Sequence, residues 1–280
     1  MPTSQIAFEA FQPEHIAGAL ALSRAAGWPH RAEDWAFSLG LSQGVVALAG
    51  GRVLGTALMT PYGAEAATIN MVIVDEACRG QGLGKRLMRQ CLDAAEGRVC
   101  HLVATAEGLP LYERLGFVTT GEIVQHQGIV SADARPPPDA RIAWRADEAA
   151  RAACVAMDAA ATGMDRARLI AALFDVGRIA CLGSGESISG FAALRAFGRG
   201  EVAGPIIAAD GEGAAALLGF MLAECRGRFL RVDTRPEAGL VPMLLAHGLA
   251  PVGGGIAMRR GAAAETHDFH SFALASQALG

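Results

Sequence analysis

Apolar positions along this 280-residue chain follow two alternating rhythms. From about His15 to Ala26, and again near Ala32 to Ser42, they recur at helical spacing. Val45 to Ala49 is a continuous apolar run, Gly50-Gly51 a turn, and Val53 to Met59 a second run, which together predict a β-hairpin. A strand over Ala67 to Val74, a helix over Leu83 to Glu96, a strand over Val99 to Thr105, a short helix around Leu111 and strands near Phe117 to Ile129 follow. Strands and helices mixed in this order predict an α/β layer fold, a mixed α+β sheet flanked by helices.

Arg135-Pro136-Pro137-Pro138-Asp139 breaks the pattern near the midpoint, because consecutive prolines can join neither a helix nor a central strand. It divides the chain into domains at 1–132 and 141–280, with a Pro-rich linker at 133–140. Landmarks then recur. Ile179 to Leu182, the turn Gly183-Ser184-Gly185 and Ile188 to Phe191 echo the first hairpin, with Gly190 standing where Gly55 stands. Leu244 to Leu249 echoes Tyr112 to Phe117, with Gly248 matching Gly116. A nearly constant offset at separate landmarks predicts an internal duplication and tandem domains.

With 52% apolar and 19% charged residues, each half can bury a core. A net charge of −4 argues against a general nucleic-acid or anionic-membrane binder, although Arg79, Lys85, Arg86 and Arg89 form a local basic patch suited to one small polyanion. No run of 18 apolar residues and no signal-type N-terminus is present, so a cytoplasmic protein is expected. The six cysteines lack ligand spacing and are expected to be reduced thiols, with no metal site.

The chemistry concentrates in Arg79-Gly80-Gln81-Gly82-Leu83-Gly84-Lys85, between the strand ending at Val74 and the helix from Leu83. Glycines let backbone N–H groups approach an anion, and the helix start adds the positive end of its dipole. A Walker A loop is excluded, since Arg79 stands at its first glycine position and Arg86 at its hydroxyl position. A dinucleotide loop fits poorly: the glycines run Gly-x-Gly-x-Gly and the next strand has no acid. The remaining pattern, Arg79, Gly82 and Gly84 between strand and helix, resembles the pyrophosphate loop of the GCN5-related N-acetyltransferase superfamily. Leu111-Tyr112-Glu113-Arg114-Leu115-Gly116-Phe117 resembles the second signature of that family, and the resemblance covers roughly residues 5 to 130.

The resemblance implies acetyl-CoA as cosubstrate and direct transfer to the amine of a small molecule. It implies cofactor contacts at Val72, Ile73 and Val74 through backbone groups, at Arg79, Gly80, Gln81, Gly82, Leu83, Gly84 and Lys85 through the cradle, and at Thr105, Gly108 and Leu111. Tyr112 falls where the family places the phenol that protonates the leaving thiolate. The family's usual Glu on the strand before the cradle is replaced by Asn70, which leaves Glu107, Glu122, His126, His30, Glu33 and Asp34 as candidate bases, acting directly or through water. His101 is expected to be a hydrogen-bonded structural histidine. Trp28 is expected to reach the acceptor pocket. In the second half the cradle position reads Glu212-Gly213-Ala214-Ala215-Ala216-Leu217 and Tyr112 becomes Leu244. A degenerate copy is therefore expected, shaping the acceptor pocket, fixing orientation or making a homodimer contact. The alternative is a non-catalytic acetyl-CoA-binding or regulatory module.

Overall fold

A computed structural model describes residues 6–135, 141–184, 187–262 and 268–280. The prolines at 136–138 of the expected linker, and Gly185 of the expected turn, lie outside them. The first half runs β1 (Ala7–Ala10), α1 (Ile16–Ala25), α2 (Ala32–Leu41), β2 (Gln43–Ala49), β3 (Arg52–Tyr62), β4 (Ala66–Val74), α3 (Leu83–Ala94), β5 (Val99–Ala104), α4 (Leu109–Arg114) and β6 (Val118–Ile129). The second repeats it as β7 (Ile142–Arg145), α5 (Glu148–Thr162), α6 (Ala167–Val176), β8 (Gly177–Ser184), β9 (Ser187–Phe197), β10 (Gly200–Ala208), α7 (Gly211–Glu224), β11 (Phe229–Thr234), α8 (Val241–Ala246) and β12 (Ala250–Arg260). One strand is surplus to the repeat: β13 (His270–Ala273).

The duplication is visible atom by atom at the hairpin glycines. A Cβ on Gly55 would come within 2.9 Å of Leu87 and 3.0 Å of the Ile73 carbonyl; one on Gly190 would meet Leu217 at 3.2 Å and the Ile207 carbonyl at 2.9 Å. Both positions need glycine for the same reason: the next strand and the following helix close on them from two sides. Leu87 itself lies on the buried face of α3, and exchanging it for alanine would cost about 2–5 kcal/mol.

All strands join one thirteen-stranded sheet in the order β1-β2-β3-β4-β5-β12-β6-β11-β13-β10-β9-β8-β7. Its centre is an exchange between the halves. β12 pairs with β5 of the first half, β6 pairs with β11 of the second, and β6 and β12 pair with each other, all antiparallel. The expected plural strands near Phe117 to Ile129 are therefore one twelve-residue strand, because its partners come from the other half. The two domains share a continuous sheet and a common interface.

Within each half the fourth and fifth strands are parallel and part after a few residues. β4 and β5 pair only from Ala66–Val99 to Thr68–His101. β10 and β11 pair only at Glu201–Leu230 and Val202–Arg231, but there β13 enters the gap, antiparallel to β10 and touching β11 at Thr234. The chain after β13 is anchored as well: the Leu279 carbonyl accepts from the Tyr62 hydroxyl at 2.5 Å and from Arg166 at 3.4 Å. Among the described residues no helix is long and apolar enough to cross a membrane.

Candidate active site

The gap between β4 and β5 is opened by a local irregularity in β4. Met71 has a left-handed φ of 49°, rare for a residue with a side chain, and the register against β3 slips between Thr56 and Leu58. Thr56 pins this bulge by donating its hydroxyl to the Met71 carbonyl at 2.8 Å. Beyond it, the backbone groups of Val72, Ile73 and Val74 that face β5 have no strand partner.

The cradle follows. Asp75 caps a short turn by accepting from the Ala77 N–H at 2.9 Å and is itself held by Arg52 at 2.6 Å. Gly80 and Gly82 then take φ of 76° and 79°, with nothing near the place where a Cβ would sit, so the turn demands glycine for its backbone shape and leaves an open face. α3 starts without a side-chain cap, and Arg86 is the first residue to bond back, to the Gly82 carbonyl at 3.1 Å. The amides from Leu83 to Lys85 therefore point outward unused at the positive end of a twelve-residue helix. Arg79 and Lys85 are exposed beside them and have no ion pair among the described residues, whereas Arg86 packs over the Phe8 ring at 3.9 Å.

These parts bound one groove of about 510 Å³. Of the residues expected to bind the cofactor, Val72, Ile73, Val74, Arg79, Gly80, Gly82, Leu83, Gly84, Lys85, Thr105, Gly108 and Leu111 line it, together with Tyr112. Gln81 does not line it; its side-chain amide donates to the Ala77 carbonyl at 3.4 Å.

At its inner end the groove meets a smaller chamber of about 200 Å³, and Trp28, Val72, Thr105 and Tyr112 line both. Tyr112 is 8% exposed and lies against Gly108, and its hydroxyl makes no hydrogen bond to a described residue. Burial pushes its phenol up to about 12, so it stays protonated at neutral pH. Trp28 thus reaches the chamber, whereas Trp35 is fully buried, stacked on Phe11 at 5.7 Å.

Both halves build the chamber: Trp28, His30 and Asn70 from the first, Gln125 from the exchanged β6, and Phe197, Arg231 and Gln277 from the second. No Asp or Glu lines it. Arg231 is its one formal charge, paired with Asp233 at 2.8 Å, and Gln277 donates to the same carboxylate at 3.0 Å. Asn70 is buried and donates to Thr60 at 2.8 Å.

Of the six candidate bases only His30 faces the chamber. Glu33 and Glu122 are exposed elsewhere, Glu107 lines the outer groove, and His126 is buried outside the chamber lining. Asp34 is held by Arg31 at 2.8 Å and by the Gly198 N–H at 3.0 Å, a structural tie between the halves. Burial pushes His30 down to about 4, so it is neutral near pH 7. Its Nδ1 lies 3.3 Å from the Ser23 hydroxyl, which accepts from Trp35 Nε1 at 3.0 Å. The buried hydroxyl can give its own proton to Nδ1, the tautomer in which Nε2 carries the ring proton.

The matching place in the second half is closed. α7 is capped by Asp210, whose carboxylate accepts from the Gly213 N–H at 2.8 Å, so a carboxylate already occupies the helix end. Leu244 stands in place of the phenol, and β13 fills the gap between strands. Sequence reasoning missed Arg231, Phe197, Gln125 and Gln277. One signal was available for Arg231: a charge pair at alternate positions, Arg231 and Asp233, inside a strand that begins Phe229-Leu230 and keeps Val232 between the charges.

Two sequence models described as "Acetyltransferase (GNAT) domain" match the chain, over residues 41–119 and 154–273. The uncharacterized N-acetyltransferase YitH of Bacillus subtilis is 35% identical over 114 residues, 39% of this chain; the match spans 40% of that relative's length. The N-alpha-acetyltransferase RimI of Mycobacterium tuberculosis is 32% identical over 116 residues, 38% of this chain and 72% of that protein. The crystal structure of a putative acetyltransferase from Pyrococcus horikoshii has the same fold, with a TM-score of 0.82, 18% identity, and coverage of 100% of this chain and 98% of that one.

Proposed function

The chain belongs to the acetyltransferase (GNAT) family, with two of its domains in tandem, and on that premise we propose that its first half binds acetyl-CoA and acetylates the amine of a small molecule by direct transfer. The observation that supports this best is the position of Tyr112, buried and protonated, with its hydroxyl free of hydrogen-bond partners among the described residues where the cradle's groove meets the chamber. The residues fit a coenzyme A thioester: open amides and two unpaired cations suit its pyrophosphate, and the unpaired edge of β4 suits an extended amide-bearing arm.

Acetyl-CoA supplies an activated acetyl thioester. Backbone N–H groups in the open stretch 72–74 stabilise the negative charge that builds on the carbonyl oxygen during attack. Tyr112 gives its proton to the departing sulfur. Trp28 and Phe197 narrow the chamber, and with Arg231 already paired to Asp233 it offers no free carboxylate to hold an ammonium ion. The amine therefore enters neutral, so a weak acceptor such as water suffices for its proton. His30, already carrying a proton on Nε2, is a donor to the acceptor molecule instead of the base.

In this reading the second half has no cofactor site and serves as one wall of the first. The relatives do not fix the acceptor, since they include an N-alpha-acetyltransferase and a glucosamine 6-phosphate N-acetyltransferase of Trypanosoma brucei. Release of free thiol from acetyl-CoA across an amine library tests the proposal: turnover with small amines supports it, and tight binding without turnover on any amine would favour a non-catalytic module.

A further inference from the structure

A second cavity of about 490 Å³ adjoins the chamber and shares Leu102, Val103 and Gln277 with it, a candidate passage between the halves. The far part is lined by Arg166, Arg235, Arg259, His101 and His270, against a single carboxylate, Glu237.

The charges along this passage do not cancel. Arg231 has Asp233 at 2.8 Å and Arg166 has Asp158 at 2.6 Å, both inside the protein. Arg235 has only Glu237 at 3.8 Å, with Glu237 two-thirds exposed, an arrangement of little strength in water. Arg259 has no carboxylate partner among the described residues. Its Nε donates to the Gly261 carbonyl at 3.1 Å, and it stands directly opposite His101 in the β12–β5 register. The ring of His101, expected to be hydrogen-bonded and structural, makes no hydrogen bond to a described residue and lies on the same wall.

Position is built in as well as charge. Arg235 rests on the backbone of β6 at Gly121, where a Cβ would come within 2.5 Å of its Nη1, so the strand is bare where the guanidinium lies. Arg259 reaches the passage from β12, the strand that the second half inserts into the first. A half-buried guanidinium without a carboxylate keeps donors free in a fork that matches a carboxylate or a phosphate.

We propose that the amine acceptor carries an anionic group, a carboxylate or a phosphate, and that Arg259 and Arg235 bind it in this passage while the amine lies in the chamber beside Tyr112. This rests on the reading of the chamber as the acceptor site. It also gives the inserted strand a function: the second half supplies the specificity of the first. Burial, together with Arg259, Arg166 and Arg235, holds His101 down at about 4, so the histidine adds a neutral wall and the arginines carry the charge.

The test uses matched acceptors that differ only at the distal group: an amino carboxylate against its amide, and an amino-sugar phosphate against the unphosphorylated sugar. With the full chain, kcat/KM for the anionic member should exceed that of its neutral twin by about tenfold or more. Arg259→Glu should erase the preference while acetyl-CoA affinity stays as in the wild type, and Arg259→Gln and Arg235→Gln should each reduce it. The pair that shows the larger preference distinguishes phosphate from carboxylate. Calorimetric binding of each pair to the protein loaded with CoA gives the same comparison without turnover. Equal use and equal binding of twins in both pairs, or a preference unchanged in Arg259→Glu, would overturn the inference while leaving acetyl transfer intact; loss of acetyl-CoA binding in the wild type would instead overturn the reading on which it rests.

Discussion

Tyr112 and Leu244 hold the same place in the two halves: each is a buried residue of a six-residue helix, and each is followed four positions later by a left-handed glycine, Gly116 or Gly248. The packing role is therefore filled equally well by leucine, and the hydroxyl of Tyr112 is surplus to it. A hydroxyl kept inside a core-facing position, without a protein partner, has to be explained by what meets it in the groove.

Tyr112→Phe separates these roles. The ring still fills the space, so folding and acetyl-CoA affinity should stay near wild type, while kcat falls on the order of 10²-fold or more. Since burial holds the phenol protonated up to about pH 12, Tyr112 should cause no alkaline loss of wild-type activity below about pH 11. Steady-state kinetics across pH checks both; full activity in the variant would remove Tyr112 from the mechanism.

His30 makes the fold sensitive to acid. Its ordinary value of 6.5 falls to about 4 in the folded protein because burial opposes the charged ring, so the unfolded chain takes up the proton first. Its contribution is fully present above about pH 6.5 and is lost as pH falls toward 4. Denaturation at stepped pH should show a loss on the order of a few kcal/mol across that window, shared with His101, which is depressed in the same way. His30→Gln should flatten part of the slope; an unchanged slope would contradict the assignment.

Asp158 and Arg166 form an ion pair that is 1% exposed on both sides, and Arg166 also holds the Leu279 carbonyl. Asp158→Ala leaves a buried guanidinium without its carboxylate, which should cost about 3–5 kcal/mol. Amide hydrogen exchange should rise first in residues 275–280, whose last two residues lie against Arg166; uniform exchange with unchanged stability would show the pair to be dispensable.

Much of the fold was legible because its elements obey local rules. The strand-turn-strand at Gly50-Gly51, the helix from Leu83 and the left-handed Gly116 are each specified by their own residues. The cradle was legible for the same reason: Gly80 and Gly82 announce a backbone that side chains would block. The exchange of β6 and β12 was not, since alternation along a strand says which faces it presents and nothing about which half supplies its neighbour. β13 was missed because four residues give too little pattern to detect. The chamber's second-half wall, Arg231, Phe197 and Gln277, depends on that exchange and was hidden with it.

The central claim is a single acetyl-CoA site, in the first half, built on the cradle. Isothermal titration calorimetry with acetyl-CoA tests it most directly, on the wild type and on an Arg79→Glu, Gly82→Val variant, whose new carboxylate repels pyrophosphate and whose valine resists the left-handed backbone. One site per chain in the wild type and no measurable binding in the variant is the expected result. Two sites per chain, or unchanged affinity in the variant, would contradict it.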